Sequence, residues 1–172
     1  AIARLHTLRT RNSAAYKGVH ALLMREGCLD FKTGETIEAQ QYFDEAIDIH
    51  HIFPQKWCID NRIEAADYNS VVNKTAISAR TNRHIGGNAP SEYLANLLKS
   101  SGYDDVRQSE ILDSHLIQAD YLRADDFKSF IAARTERLAT LIELATGKSI
   151  DRPKILDMAD SEDEDFEDDS EA

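Results

Sequence analysis

Ile47-Asp48-Ile49-His50-His51-Ile52-Phe53-Pro54-Gln55 alternates β-branched and polar residues and then meets a proline, which has no N–H to give a ladder. This predicts a strand over residues 47–52 that ends at Pro54. Downstream, residues 70–77 hold Val71, Val72, Thr75 and Ile77 and predict a second strand. Residues 55–69 show no clear period, so they read as an excursion between the two strands. Ser78 can cap a helix that runs through Asn82 and stops at Gly86-Gly87. The order is strand, loop, strand, helix, occupying about 46–88.

The flanks are mostly helical. Residues 13–26 place Ala15, Val19, Leu22 and Leu23 at helical spacing between a Ser cap and Gly27. Residues 28–31 and 36–37 around Lys32-Thr33-Gly34-Glu35 predict a short hairpin. Three further helices are expected over 91–98, about 109–118 and 125–146. In the last of these, Phe127, Phe130, Ile131, Leu138, Leu141 and Ile142 form an apolar stripe with Arg134 and Arg137 among them. The class is α+β, a small β element embedded in a mostly helical domain.

At 172 residues with 42% hydrophobic content the chain can bury one core of ordinary size. The net charge of −11 is unevenly placed. Residues 157–172 carry ten of the 31 acidic side chains and no Lys or Arg, leaving 21 acids against 20 bases and a net charge of −1 over 1–156. The expected organisation is a domain over 1–156 and a disordered acidic tail over 157–172, because so dense a block of like charge cannot bury enough apolar area to offset its ordering entropy. The tail reads as a solvating appendage, with competition for a basic site as the sharper alternative. Cys28 and Cys58 form no CxxC pair and no signal-peptide pattern precedes them, so a reducing cytoplasm is the expected location. No run of 18 apolar residues exists, and no membrane span is expected. Because it begins Ala1-Ile2-Ala3-Arg4 without methionine, the chain is expected to be part of a longer protein.

A histidine of suitable pKa beside a metal ligand suits hydrolysis of a phosphodiester, which needs a deprotonated water and neutralised phosphoryl charge. Few protein ligands suffice, because Mg²⁺ keeps several waters and takes one or two side chains beside substrate phosphate. An imidazole ligand also admits Mn²⁺, Ni²⁺ or Zn²⁺. Alternation puts Asp48 and His50 on one strand face and His51 on the other, so both imidazoles reach one phosphate only if the backbone bends there. Asn73 is the candidate for holding that bend, and Asn82 would bring an amide oxygen from the helix. Lys74, Arg80 and Arg83 give residues 69–84 three positive charges and no negative one, a phosphate-binding surface on a nearly neutral body.

His50-His51-Ile52-x-Pro54-Gln55, Asn73-Lys74 and Asn82-Arg83 together resemble the HNH (ββα-metal) endonuclease motif, with Asn in place of the final His. From Asn73 through Asn88-x-Pro90-Ser91-Glu92 the spacing is similar to the HNH domain of RNA-guided CRISPR nucleases. The wider pattern is closer still to the C-terminal nuclease half of GmrSD-like, modification-dependent restriction proteins of bacterial phage defence. It comprises Arg11-Asn12-Ser13-Ala14, Asp30-Phe31-x-Thr33-Gly34, Asp48-Ile49-His50-His51-Ile52-Phe53-Pro54, Thr81-Asn82-Arg83, Pro90-Ser91-Glu92-Tyr93-Leu94 and Ser114-His115-Leu116-Ile117. The resemblance implies a divalent-metal-dependent DNA endonuclease with His51 as general base, His50 and Asn82 as metal ligands and Asn73 orienting the loop. Where many relatives have Asp, this chain has His50, as some bacterial toxin nucleases do. Asp48 is then a further ligand or a partner to one. Such relatives also carry an upstream domain that senses modified DNA and hydrolyses nucleotide. Its Asp-Gly-Gln-Arg type motif is missing here, so the sensor and any nucleotide dependence are expected to belong to an upstream domain absent from this chain.

Each residue also has a plainer reading. A histidine pair is often a half-buried polar pair, Asn73 alone a turn residue and Asn82 alone an exposed helical one; their joint spacing is the signal. His6, His20 and His115 are expected to be structural, His84 a surface or phosphate-contacting residue, and Phe53 and Trp57 core. The rival functions are a catalytically inactive module that binds DNA or docks a partner, and a toxin nuclease held by an acidic partner.

Overall fold

Two short strands and the helix that follows them lie between two hydrophobic clusters, and that position explains most of the burial pattern. In a computed structural model, residues 2–9, 13–37, 47–150 and 152 are described, with the backbone alone for Ile47 and Asp48. The expected acidic tail, Arg11 and Asn12 lie outside the described residues. Strand β1 (Ile47–His51) runs antiparallel to β2 (Lys74–Ser78), pairing Ile47 with Ser78, Ile49 with Ala76, His50 with Thr75 and His51 with Lys74.

A lone two-stranded ribbon is marginal in water, so both faces must be covered. Ile49 and Ala76 join one cluster with Leu5, Val19, Leu23, Leu138 and Leu141. Ile77, one residue on and therefore on the other face, joins a second with Phe53, Ile85, Tyr93, Leu97 and Phe130. Residues 74–77 are accordingly buried without interruption.

The helices that supply these clusters are α1 (Ile2–Thr7), α2 (Ala14–Arg25), α3 (Gln55–Asp60), α4 (Ala65–Tyr68), α5 (Ala79–Ile85), α6 (Pro90–Ser101), α7 (Asp105–Asp113), α8 (Ala119–Arg123) and α9 (Phe127–Thr146). Their ends follow local chemistry. Ser13, Ser78, Asp104 and Asp126 accept hydrogen bonds from the N–H groups of Tyr16, Thr81, Arg107 and Ser129. Gly147 closes α9 in the left-handed conformation at φ 66°, where a side chain would be strained. Like β2, α9 reaches both clusters, through Phe130 on one side and Leu138 and Leu141 on the other.

The structure corrects several boundaries. Residues 71–73, expected as strand, form a 3-10 turn whose Val71 N–H bonds the Leu8 carbonyl, so β2 starts only at Lys74. The excursion holds two short helices, α3 and α4. The helix expected over 125–146 is α9, which starts two residues later at Phe127 because Asp125, at φ 52°, lies in the turn after α8. The hairpin near residue 30 is reduced to one bridge, Leu29 to Thr36.

Arg134 and His115 tie these parts together from within. The Arg134 guanidinium, 1% exposed, donates to the carbonyls of His115 (3.1 Å), Lys74 (2.9 Å) and Val72. Burial pulls its pKa down to about 9, and Arg137 adds to the effect. His115 is fully buried between the Thr75 hydroxyl and the Leu29 carbonyl, each 2.6 Å from a ring nitrogen. Burial lowers its pKa to about 4, so it is neutral in the fold.

Below the unfolded histidine pKa of about 6.5 the unfolded chain takes up a proton that the fold refuses. Stability is therefore full above that pH and is lost as pH falls toward about 4, by roughly 3 kcal/mol from this group alone. Urea unfolding midpoints should drop between pH 7 and pH 5, and the slope should flatten in His115→Gln. An equal slope in both proteins would assign the effect to other groups.

Candidate metal centre

β1, β2 and α5 pack on one another as a unit. The bend after the two histidines is held by Asn73, which is fully buried. Its Oδ1 accepts from the Phe53 N–H at 2.9 Å, and its Nδ2 donates to the carbonyls of Phe53 and Tyr68, both at 3.0 Å. The Asn73 main chain joins in, its carbonyl accepting from the Ile52 N–H at 2.9 Å. One amide thus satisfies three main-chain groups at the two ends of the excursion, so the chain turns immediately past His51. Phe53 anchors the turn in the core, with Trp57 and Phe130 rings each 5.0 Å away.

His50 is buried at 7% exposure, while His51 is half-buried. The His51 Nε2 lies 3.1 Å from Oδ1 of Asn69, the residue that ends α4. An amide oxygen only accepts, so this contact suits the tautomer that carries its proton on Nε2. Asn82 sits half-buried in α5, whose first turn is capped by Ser78. Asp48 pairs with Ile77 through its backbone, and its side chain is outside the described residues.

The donor set decides what the site could hold. Among the described residues no group of three or more His, Cys, Asp or Glu is placed to hold a metal ion. One imidazole and one amide oxygen fit a cation that keeps most of its water and takes substrate oxygen, as Mg²⁺ and Mn²⁺ do. They do not fit a closed structural zinc site, which needs four protein ligands. The three expected phosphate contacts differ in placement. Arg80 and Arg83 are exposed on α5, whereas Lys74 is buried with its ammonium 5.7 Å from the centre of the Tyr16 ring.

No family model matches this chain. No solved structure matches it either. An uncharacterized protein of Methanocaldococcus jannaschii is 30% identical over 120 residues, which make up 66% of this chain and 20% of that protein. The chain therefore spans about a fifth of the relative's length.

Two residues of the site were not legible as such. Asn69 lies 18 positions from His51 and at the end of a helix too short to show a period. Asp30, whose carboxylate accepts from the Ser78 N–H and the Thr81 hydroxyl at the start of α5, has those partners 48 and 51 positions away. His84, exposed on α5, meets Lys32 Nζ and Ser100 Oγ, each at 3.4 Å, rather than the histidine pair. Among the described residues no helix is long and apolar enough to cross a membrane.

Proposed function

We propose that this chain is a divalent-metal-dependent DNA endonuclease of the HNH (ββα-metal) type, the nuclease part of a bacterial phage-defence restriction protein. The observation that carries the proposal is the Asn73 clamp, which turns the chain at the end of the histidine strand and leads directly into β2 and the Asn82 helix. The motif spacing agrees with that arrangement. In this reading His51 accepts a proton from water at Nδ1, the water oxygen bonds to phosphorus, and the bond from phosphorus to the leaving oxygen breaks, with that oxygen taking a proton from solvent. A divalent cation held by His50 and Asn82 would supply the Lewis acid that offsets charge on the phosphoryl and leaving oxygens. Arg80 and Arg83, exposed on α5, hold the DNA backbone beside the cleaved bond. Asp48 remains the proposed additional ligand. An upstream sensor of modified DNA is the proposed partner.

The direct test is plasmid nicking in Mg²⁺, Mn²⁺, Ni²⁺ and Zn²⁺, on modified and unmodified DNA, with EDTA as the blank. Nicking in at least one metal and none in EDTA supports the proposal. Binding of DNA without cleavage in every metal would favour the inactive DNA-binding module instead.

Asn69 offers a more local check. Its amide oxygen holds the His51 tautomer, so Asn69→Leu should slow nicking about tenfold or more, within the range that general-base placement contributes. Asn69 is half-buried, so the variant should stay folded by circular dichroism. Parental nicking rates in the variant would remove Asn69 from the reaction.

A further inference from the structure

Between α2 and the histidine strand the chain makes a tight turn that holds α5 in place from both ends. The Asp30 carboxylate, 3% exposed, is its centre. Oδ1 accepts from the N–H groups of Lys32 and Thr33, both at 3.1 Å, and from the Thr81 hydroxyl at 2.6 Å. Oδ2 accepts from the Ser78 N–H at 2.7 Å. Ser78 is the last residue of β2 and caps α5, while Thr81 immediately precedes Asn82. Two residues along the turn, Lys32 meets His84 in the last part of the same helix.

The turn is in turn fixed to the helices behind it. Ser114 Oγ accepts from the Leu29 N–H at 3.0 Å, His115 bonds the Leu29 carbonyl, and the Tyr103 hydroxyl donates to the Phe31 carbonyl. Burial alone would raise the Asp30 pKa, but the donors from Thr81, Ser78, Thr33 and Lys32 outweigh it and hold the group ionised.

We propose that Asp30 is a positioning residue for the metal centre: it anchors the start of α5 to the body of the domain and so sets where the Asn82 carboxamide stands relative to β1. This rests on the nuclease reading for its metal. Four donors point at two carboxylate oxygens, and the two from α5 and its cap are the shortest of the four. An Asn at position 30 offers one oxygen and an NH₂, so at least one donor on the helix start or the turn would face another donor. The helix would keep its internal bonds but lose its bearing on the strands. Outer groups of this kind typically change metal affinity 10–100-fold when replaced.

The test is Mn²⁺ binding, followed by loss of the free-ion electron paramagnetic resonance signal in the presence of a DNA duplex, with nicking measured in parallel. Asp30→Asn should raise the Mn²⁺ dissociation constant about tenfold. Its nicking should recover progressively as Mn²⁺ is raised. Thr81→Val removes one hydroxyl bond only, and should move the constant in the same direction by about threefold, within the worth of a single bond to a charged group. Ser91→Ala, in α6, loses a 2.7 Å bond to Asp125 in the turn between α8 and α9 and serves as the control for a purely structural loss. It should leave Mn²⁺ binding in place.

Unchanged Mn²⁺ binding in folded Asp30→Asn and Thr81→Val, with Asn82→Ala weakening it, would overturn the positioning role while leaving the nuclease reading intact. A parent that binds Mn²⁺ through Asn82, weakened by Asp30→Asn, yet never nicks would sink the nuclease reading and leave the positioning role standing. No Mn²⁺ binding by the parent at all would overturn both.

Discussion

His51→Ala should leave the far-UV circular dichroism spectrum and the unfolding midpoint close to those of the parent while lowering metal-dependent plasmid nicking by about 10²–10⁴-fold. The side chain is half-buried at the end of a strand and meets the Tyr68 ring edge-on at 6.2 Å, a looser contact than the full burial of Phe53, so its removal opens little space. What it removes is the proposed general base, whose ring meets Asn69. DNA affinity should be nearly unchanged, because Arg80 and Arg83 are untouched. A folded His51→Ala protein that nicks at the parental rate would take His51 out of the reaction.

The second large effect belongs to Asn73. Asn73→Ala strips three hydrogen bonds from buried main-chain groups and leaves the Phe53 N–H and the carbonyls of Phe53 and Tyr68 without that amide. Each orphaned buried group costs about 1–3 kcal/mol, so a loss of about 3 kcal/mol is a moderate expectation after relaxation. At about 2–4 °C per kcal/mol for a chain of this size, the thermal midpoint should fall by about 6–12 °C. Nicking should fall at least about 10²-fold even well below that midpoint, because the bend that follows His51 is no longer held and small misplacements of reacting groups are costly.

Asn73→Asp is the sharper variant. It keeps an oxygen for the Phe53 N–H but turns a charged oxygen toward two carbonyls in a site without solvent, so it should be no more stable than Asn73→Ala. A variant with parental stability and activity would mean the clamp is dispensable.

How much of this was legible in the sequence depends on the distance between partners. The helix carrying Asn82 was readable because its cap, Ser78, and its terminator, Gly86, are adjacent to it and act locally. The histidine strand was readable from its period of two and from Pro54. The 3-10 turn at Val71–Asn73 was not, because two valines in succession read as strand whether or not a partner ladder is there to use them. The actual partner of Val71 is the Leu8 carbonyl.

The short helices α3 and α4 escaped for a different reason: six and four residues are too few to display a helical period. Arg134 was visible as a cation in an apolar stripe. Its function as a donor to carbonyls 60 and 62 positions away is a property of tertiary packing alone. The same holds for Asp30. Near-continuous burial of residues 74–77 follows from cores on both faces of the ribbon, which an alternating pattern does not announce.

If the β1-β2-α5 unit is built around one divalent cation, anomalous scattering from a crystal of the protein soaked in Mn²⁺ should locate it. A single strong peak is expected within about 2 Å of a ring nitrogen of His50 and of Oδ1 of Asn82. A peak elsewhere on the molecule, or His50 and Asn82 facing apart with no ion near either, would contradict it.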